Sequence, residues 1–110
     1  MAVTDFFDNL VADPPPSLRR VTATVRFDVI DGDQTKYHLV SLDHGAVKLS
    51  QRKVKADATI RIERPMFERL LAGKANAMAS ALRGELSIEG DRGLLVALQR
   101  MMPGPGKESR

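Results

Sequence analysis

The chain has 110 residues, which is enough for a single domain with its own hydrophobic core. It contains no cysteine, so disulfide bonds, thiolate metal sites and cysteine nucleophiles are excluded. The formal net charge is +3, but its 17 basic and 14 acidic residues are scattered along the chain. The densest basic stretch, residues 52–55, has no aromatic residue on which a base could stack. We therefore expect no nucleic-acid partner.

The chain also lacks an apolar run of the roughly 18 residues that cross a bilayer, so no integral membrane segment is expected. Residues 1–13 have no basic region and carry three aspartates, unlike a secretory signal peptide. We expect a cytoplasmic protein. Met1 and the Pro-Gly tail favour a complete stand-alone chain, with one domain over residues 1–102 and a disordered tail over 103–110.

The first element is a predicted helix over residues 4–12. It must end before the proline run at 14–16, because a proline disfavours helical backbone in the residue before it. Its apolar residues recur with helical spacing and form one stripe. They are Phe6, Phe7, Leu10 and Val11.

Three strands follow in the predicted order. Apolar and polar residues alternate from 18 to 31, which indicates a strand with one dry and one wet face. The turn signal at 31–34 leads into a second strand over 35–42, and the turn at 43–45 leads into a third over 46–51. The pattern predicts an antiparallel meander, covered on one side only.

The second half of the chain mixes strands and helices. Alternation over 56–63 predicts a fourth strand, and the apolar doublets of 65–73 predict a helix. A short alanine-rich helix over 76–83, a fifth strand over 85–89 and a last helix capped by Asp91 complete the domain. Because the order lacks regular strand–helix–strand alternation, the fold class is α+β.

Catalytic and metal-binding patterns are absent from the sequence. His38 lies in a predicted strand and His44 in a turn, and neither has the spacing of a metal site, so both are interpreted as surface positions. Asp31 and Asp33 flank a glycine, but the rest of a calcium loop is missing, so they are interpreted as turn residues. We expect no metal, no cofactor and no catalytic residue.

The second half nevertheless carries an ordered series of motifs. An acidic-x-Thr strand at 56–60 precedes a helix that ends in Gly-Lys at 73–74. The strand Gly-x-Leu-x-Ile-x-Gly-Asp follows at 84–91, and an apolar helix runs to Met102. In this order and spacing the motifs resemble the sterol carrier protein 2 family, which the first half resembles more loosely. Further residues that carry the likeness are Phe67, Leu70, Leu71, Ala72, Ala79, Leu82 and Arg83.

The resemblance implies a five-stranded, mostly antiparallel sheet with one face covered by four to five short helices. It implies non-catalytic binding or transfer of a lipid, sterol or fatty-acyl ligand in an apolar cavity between the sheet and the helices. Transient membrane contact and a monomer or homodimer are compatible with it. The candidate cavity residues are the apolar ones expected to face inward: Phe27, Leu39, Phe67, Leu70, Leu71, Met78, Leu82, Leu95, Leu98, Met101 and Met102.

The same apolar stripes could also belong to a filled core. The small side chains of Ala77, Ala79 and Ala81 and the adaptable methionines favour a cavity. Two alternatives stay open. One is a ligand-free scaffold or dimerisation module with the same fold, and the other is a small enzyme or an accessory domain of an enzyme.

Overall fold

The computed structural model describes residues 3–101, without the side chains of Leu98 and Met101. Met102 and the predicted tail at 103–110 therefore lie outside the described residues. In chain order, the described elements are α1 (Val3–Ala12), a 3-10 helix (Pro16–Leu18), β1 (Thr22–Asp31), β2 (Gln34–Asp43), β3 (Ala46–Ser50), β4 (Ala58–Glu63), α2 (Arg64–Leu71), α3 (Ala77–Leu82), β5 (Leu86–Gly90) and α4 (Leu94–Met101).

The five strands form one sheet in the order β3-β2-β1-β4-β5. The central strand β1 pairs antiparallel with β2 and parallel with β4, and the two outer pairs are antiparallel. The prediction of a mostly antiparallel five-stranded sheet in an α+β fold is confirmed. Because β3 and β4 lie on opposite sides of the β1–β2 pair, residues 51–57 must cross the sheet. These residues are called the crossover segment below.

The start of β1 differs from the prediction, which placed it at residue 18. Residues Pro16–Leu18 instead form the 3-10 helix, and the Val21 N–H donates to the Leu18 carbonyl oxygen at 3.0 Å. This turn buries the Leu18 side chain completely. The sequence alternation thus begins before the extended backbone does.

The centre of the core contains all four phenylalanines of the chain, Phe6, Phe7, Phe27 and Phe67. The rings of Phe27 on β1 and Phe67 on α2 stack with centroids 5.8 Å apart, and Phe7 on α1 meets Phe27 edge-on at 5.3 Å. Aromatic pairs of this kind add about 0.5–1.5 kcal/mol each beyond the area they bury. Helices α1 and α2 therefore press directly on the middle of the sheet.

The opposite face of the sheet is not simply exposed, although its residues are largely polar. Asp28 on β1 is only 1% exposed there. The Arg26 guanidinium donates to both Asp28 carboxylate oxygens, at 2.8 and 2.9 Å, and Arg61 donates to one of them at 3.3 Å. Arg26 also donates to the Val54 carbonyl oxygen at 3.1 Å. The crossover segment thus covers part of the face that the alternation predicted to be wet.

A glycine at the end of β5 allows the backbone there to pack closely against the last residue of the crossover segment. Gly90 has a φ of +92°, and a Cβ there would overlap the Asp57 carbonyl oxygen. That oxygen accepts the Asp91 N–H at 2.8 Å. The Asp91 carboxylate then accepts the Gly93 N–H at 2.9 Å, in the turn before α4, so it orders this turn rather than capping the helix, which begins at Leu94.

Candidate functional site

An apolar cavity of about 370 Å³ lies between α3, β5 and the start of α4. This volume is near the lower end of the roughly 300–1,000 Å³ found for small-molecule sites. Two lining residues, Ser87 and Arg92, are polar. The six apolar lining residues are Met78, Ala81, Leu82, Leu86, Ile88 and Leu95.

The short helix α3 is held in place at its N-terminus. The Asn76 side chain accepts the Ala79 N–H at 3.1 Å, as an N-cap should. The Gln99 side chain on α4 accepts the N–H groups of Ala77 and Met78, at 2.9 and 3.3 Å. These bonds fix α3 against α4, and the small Ala81 side chain of α3 leaves space above β5.

The cavity opens to solvent along α3. Leu82 is 90% exposed and Met78 is 41% exposed, although both line the cavity. Leu86 and Ile88 on β5 form its buried floor. An apolar cavity whose rim is also apolar and exposed is suited to an apolar molecule that enters from outside.

The structure separates the predicted cavity residues into groups. Three of them, Met78, Leu82 and Leu95, line the cavity. The side chains of Leu98 and Met101 and the whole of Met102 lie outside the described part of the chain. Four are buried in the packed core instead: Phe27, Phe67, Leu70 and Leu71.

Leu39 is placed on the other face of the sheet. Its Cα is paired with that of Arg26 on β1, whose side chain contacts the crossover segment. Directly paired residues of neighbouring strands share a face. The buried Leu39 side chain therefore lies on the face of the sheet that carries the crossover segment, not on the face covered by the helices.

Several lining residues were not among the predicted ones. Leu86 and Ile88 are the alternating apolar residues of the motif at 84–91, and Ala81 was noted for its small size, so the sequence contained a signal for these three. Ser87 and Arg92 carried no such signal. Ser87 pairs with Arg61 across the sheet and reaches the cavity because β5 is an edge strand, around which the cavity extends.

His38 is not at the surface, contrary to the prediction. It is 7% exposed, and its ring stacks on Phe7 with centroids 4.4 Å apart. Burial, and to a lesser degree the positive charge of Lys36, lowers the pKa of His38, which favours the neutral imidazole. His38 borders a separate pocket of about 100 Å³, where Arg64 donates to Asp31 at 2.9 Å.

His44 is exposed in the β2–β3 turn, as predicted, and its Nδ1 lies 2.8 Å from a carboxylate oxygen of Asp43. Within residues 3–101, no three histidine, aspartate or glutamate side chains are grouped so that they could hold a metal ion. None of the helices in that range is long and apolar enough to cross a membrane.

Solved structures with a similar fold include two sterol carrier proteins. Sterol Carrier Protein 2 from Yarrowia lipolytica, in its apo form, superposes with a TM-score of 0.70 at 22% identity, over 90% of this chain and 85% of that chain. Palmitated SCP2L2 from Aedes aegypti superposes with a TM-score of 0.72 at 16% identity, over 90% of this chain and 92% of that chain. At these identities the likeness shows the fold alone.

Comparisons of the sequence identify the family of the chain, which the fold alone does not. Hydroxysteroid dehydrogenase-like protein 2 from Danio rerio is 26% identical over 102 residues, which are 91% of this chain and 25% of that protein. The chain thus spans about a quarter of that relative's length. The family model described as the SCP-2 sterol transfer family matches residues 7–103. Because this match covers almost the whole chain, the protein belongs to the SCP-2 sterol transfer family, and its membership and fold support lipid binding or transfer in general.

Proposed function

We propose that the chain binds the apolar part of a lipid in the cavity between α3, β5 and α4, and carries it without chemical change. The observation that supports this proposal is an apolar cavity of about 370 Å³, with an exposed apolar rim, in a member of a lipid-transfer family. Transfer of an apolar chain from water to such a cavity is favourable by roughly 25 cal/mol per Å² of buried surface.

The lining favours recognition by shape and apolar contact. Ser87 and Arg92 can each form a hydrogen bond with a polar head, but neither histidine of the chain lines the cavity. A serine without a neighbouring base is a weak nucleophile. Since the Aedes aegypti neighbour was solved in palmitated form, a single long acyl chain is the first ligand to test.

A ligand-free scaffold is the alternative function. It is favoured by the phenylalanine cluster, because four of the predicted cavity residues are packed in the core and leave no space in the middle of the sheet. The name and length of the Danio rerio relative favour a second alternative function, in which the domain accompanies an enzyme. The scaffold alternative predicts that no lipid occupies the cavity between α3, β5 and α4, whereas an accessory domain of an enzyme is compatible with a lipid there.

The deciding experiment is native mass spectrometry of gently purified protein, followed by displacement of Nile red, a neutral fluorescent probe, by palmitate. We expect one lipid per chain and saturable displacement. Ala81→Phe should fill the cavity and weaken probe binding by about tenfold or more, since overpacking a site excludes its ligand. Ala46→Phe, on an exposed position of β3, is the matched control and should bind as the wild type does. Equal binding by both variants, or no saturable binding at all, would leave the scaffold as the better explanation.

A further inference from the structure

Exposed apolar side chains are found mainly on the two neighbouring helices α3 and α4. Among the side chains that the structure describes, five large apolar ones are exposed, and three of these lie on α3 and α4. They are Leu82, Met78 and Val96, the last of which is 44% exposed. Together with Arg92 and Arg100 they form what is called the α3–α4 surface below. Exposed apolar clusters on a monomer commonly mark an interaction site.

The two arginines place positive charge beside these apolar side chains. Arg100 lies four residues after Val96 on α4, a spacing that puts both side chains on one helical face, and Arg92 lies in the turn before α4, where it lines the cavity. None of the ion pairs among residues 3–101 involves Arg92 or Arg100. Nearby, Arg83 is paired with Glu85 at 2.9 Å. The surface therefore has an apolar centre and two guanidinium groups that are available to an external anion.

We propose that the α3–α4 surface docks on the anionic phospholipid surface of a membrane, with the cavity mouth facing the bilayer. This inference rests on the function proposed above, because it identifies where the lipid enters. Leu82 and Met78 both rim the cavity and project from it, so they can enter the boundary between head groups and acyl chains. Arg92 and Arg100 then pair with lipid phosphates, and a ligand passes between bilayer and cavity without crossing water.

Two other surfaces are less suited to this role. The outward positions of α1 and the residue after it carry Asp5, Asp8 and Asp13, which an anionic membrane repels. The crossover segment is basic and exposes Val54, but it lies on the face of the sheet opposite the helices. Docking through the crossover segment would turn the cavity away from the bilayer. Substitutions in that segment therefore serve as matched controls.

The first test is co-sedimentation with phosphatidylcholine vesicles, prepared with and without phosphatidylserine. Leu82→Ser should weaken binding to the phosphatidylserine vesicles by about tenfold, because the variant has no leucine side chain to transfer from water into the membrane. The fold should tolerate this change, since Leu82 is almost fully exposed. Val54→Ser removes an exposed apolar side chain from the opposite face and should change binding by less than about twofold.

The second test removes two positive charges from either surface. The double variant Arg92→Gln and Arg100→Gln should lose most of the preference for phosphatidylserine, whereas Lys53→Gln with Lys55→Gln should keep it. The opposite ranking would overturn the proposal, because the crossover segment would then be the docking surface. The proposal is also wrong if Leu82→Ser leaves vesicle binding intact and instead converts a dimer into a monomer in sedimentation, since the surface would then join two copies of the chain.

Probe binding separates this inference from the function on which it rests. A wild type that binds Nile red but not phosphatidylserine vesicles overturns the docking surface and leaves the proposed function standing. A wild type that binds vesicles but shows no saturable probe binding removes the proposed function, and with it the role of docking in lipid exchange.

Discussion

The substitution Asp28→Asn tests how the crossover segment is held on the sheet. The Asp28 carboxylate is buried and accepts hydrogen bonds from Arg26 and Arg61, and Arg26 in turn donates to the Val54 carbonyl oxygen. The carboxylate also raises the pKa of Arg26 through these hydrogen bonds, because they favour the charged guanidinium. An asparagine of the same size would replace one acceptor oxygen with an NH₂ group that faces a guanidinium donor.

The structure sets the size of this effect. Removing one partner from a fully buried pair costs about 3–5 kcal/mol. Here the side chains of Arg26 and Arg61 are 16% and 46% exposed, so water can solvate part of the charge that is left behind. We therefore expect Asp28→Asn to lower the free energy of unfolding by about 2–3 kcal/mol. Asp31→Asn is the matched control, because Asp31 and its partner Arg64 are both half exposed, and it should leave stability almost unchanged.

Urea unfolding measured by circular dichroism and by tyrosine fluorescence provides the assay. The chain has one tyrosine and no tryptophan, so Tyr37 reports on its surroundings alone. The Lys53 ammonium lies 5.1 Å and the Arg26 guanidinium carbon 5.5 Å from the centre of its ring. In Asp28→Asn, Tyr37 emission should change at lower urea than the circular dichroism does, as the crossover segment detaches first. Equal midpoints for Asp28→Asn and Asp31→Asn would refute the reasoning.

Two further predictions concern the core and its histidine. Phe67→Ala should cost about 3–5 kcal/mol of stability because it opens a void among the phenylalanines, whereas Met78→Ala should cost less than about 1 kcal/mol and alter probe affinity. Equal losses in urea unfolding would contradict the distinction between core and cavity wall. The free energy of unfolding should also fall as the pH drops below about 6.5, since the lowered pKa of folded His38 means that the unfolded chain binds the proton more readily. Urea unfolding between about pH 5 and pH 8 should show a flatter profile for His38→Phe, and an unchanged profile would assign the pH dependence to other groups.

Much of the fold could be predicted from local patterns. The alternation in β1 and β4 and the apolar doublets of α1 and α2 identified the elements, because their periods of two and 3.6 residues are set by backbone geometry. The Gly-Asp turn after β5 was also predictable, since Gly90 requires a positive φ and Asp91 accepts an N–H in the next turn. The start of β1 was not, because Leu18 is buried by a 3-10 turn that interrupts the alternation.

The candidate site was predicted less completely, and the reason is physical. A periodic pattern shows which side chains are buried, but not which residues they contact. Phe67 and Leu95 lie on similar apolar stripes, yet Phe67 meets the centre of the sheet through α2 while Leu95 faces the space beside the edge strand β5. The difference depends on where each helix is seated, which is settled by contacts between residues distant in sequence.

The sequence by itself therefore determined the elements, the α+β class and the family resemblance, because these depend on local spacing and ordered motifs. Only the tertiary structure decided that Asp28, His38 and Leu39 are buried, since for Asp28 and His38 the covering groups come from the crossover segment with Arg26 and from α1, which are distant in sequence or on another element. It also decided which apolar residues border the cavity, because an edge strand and a short helix leave space that the central strands and longer helices fill.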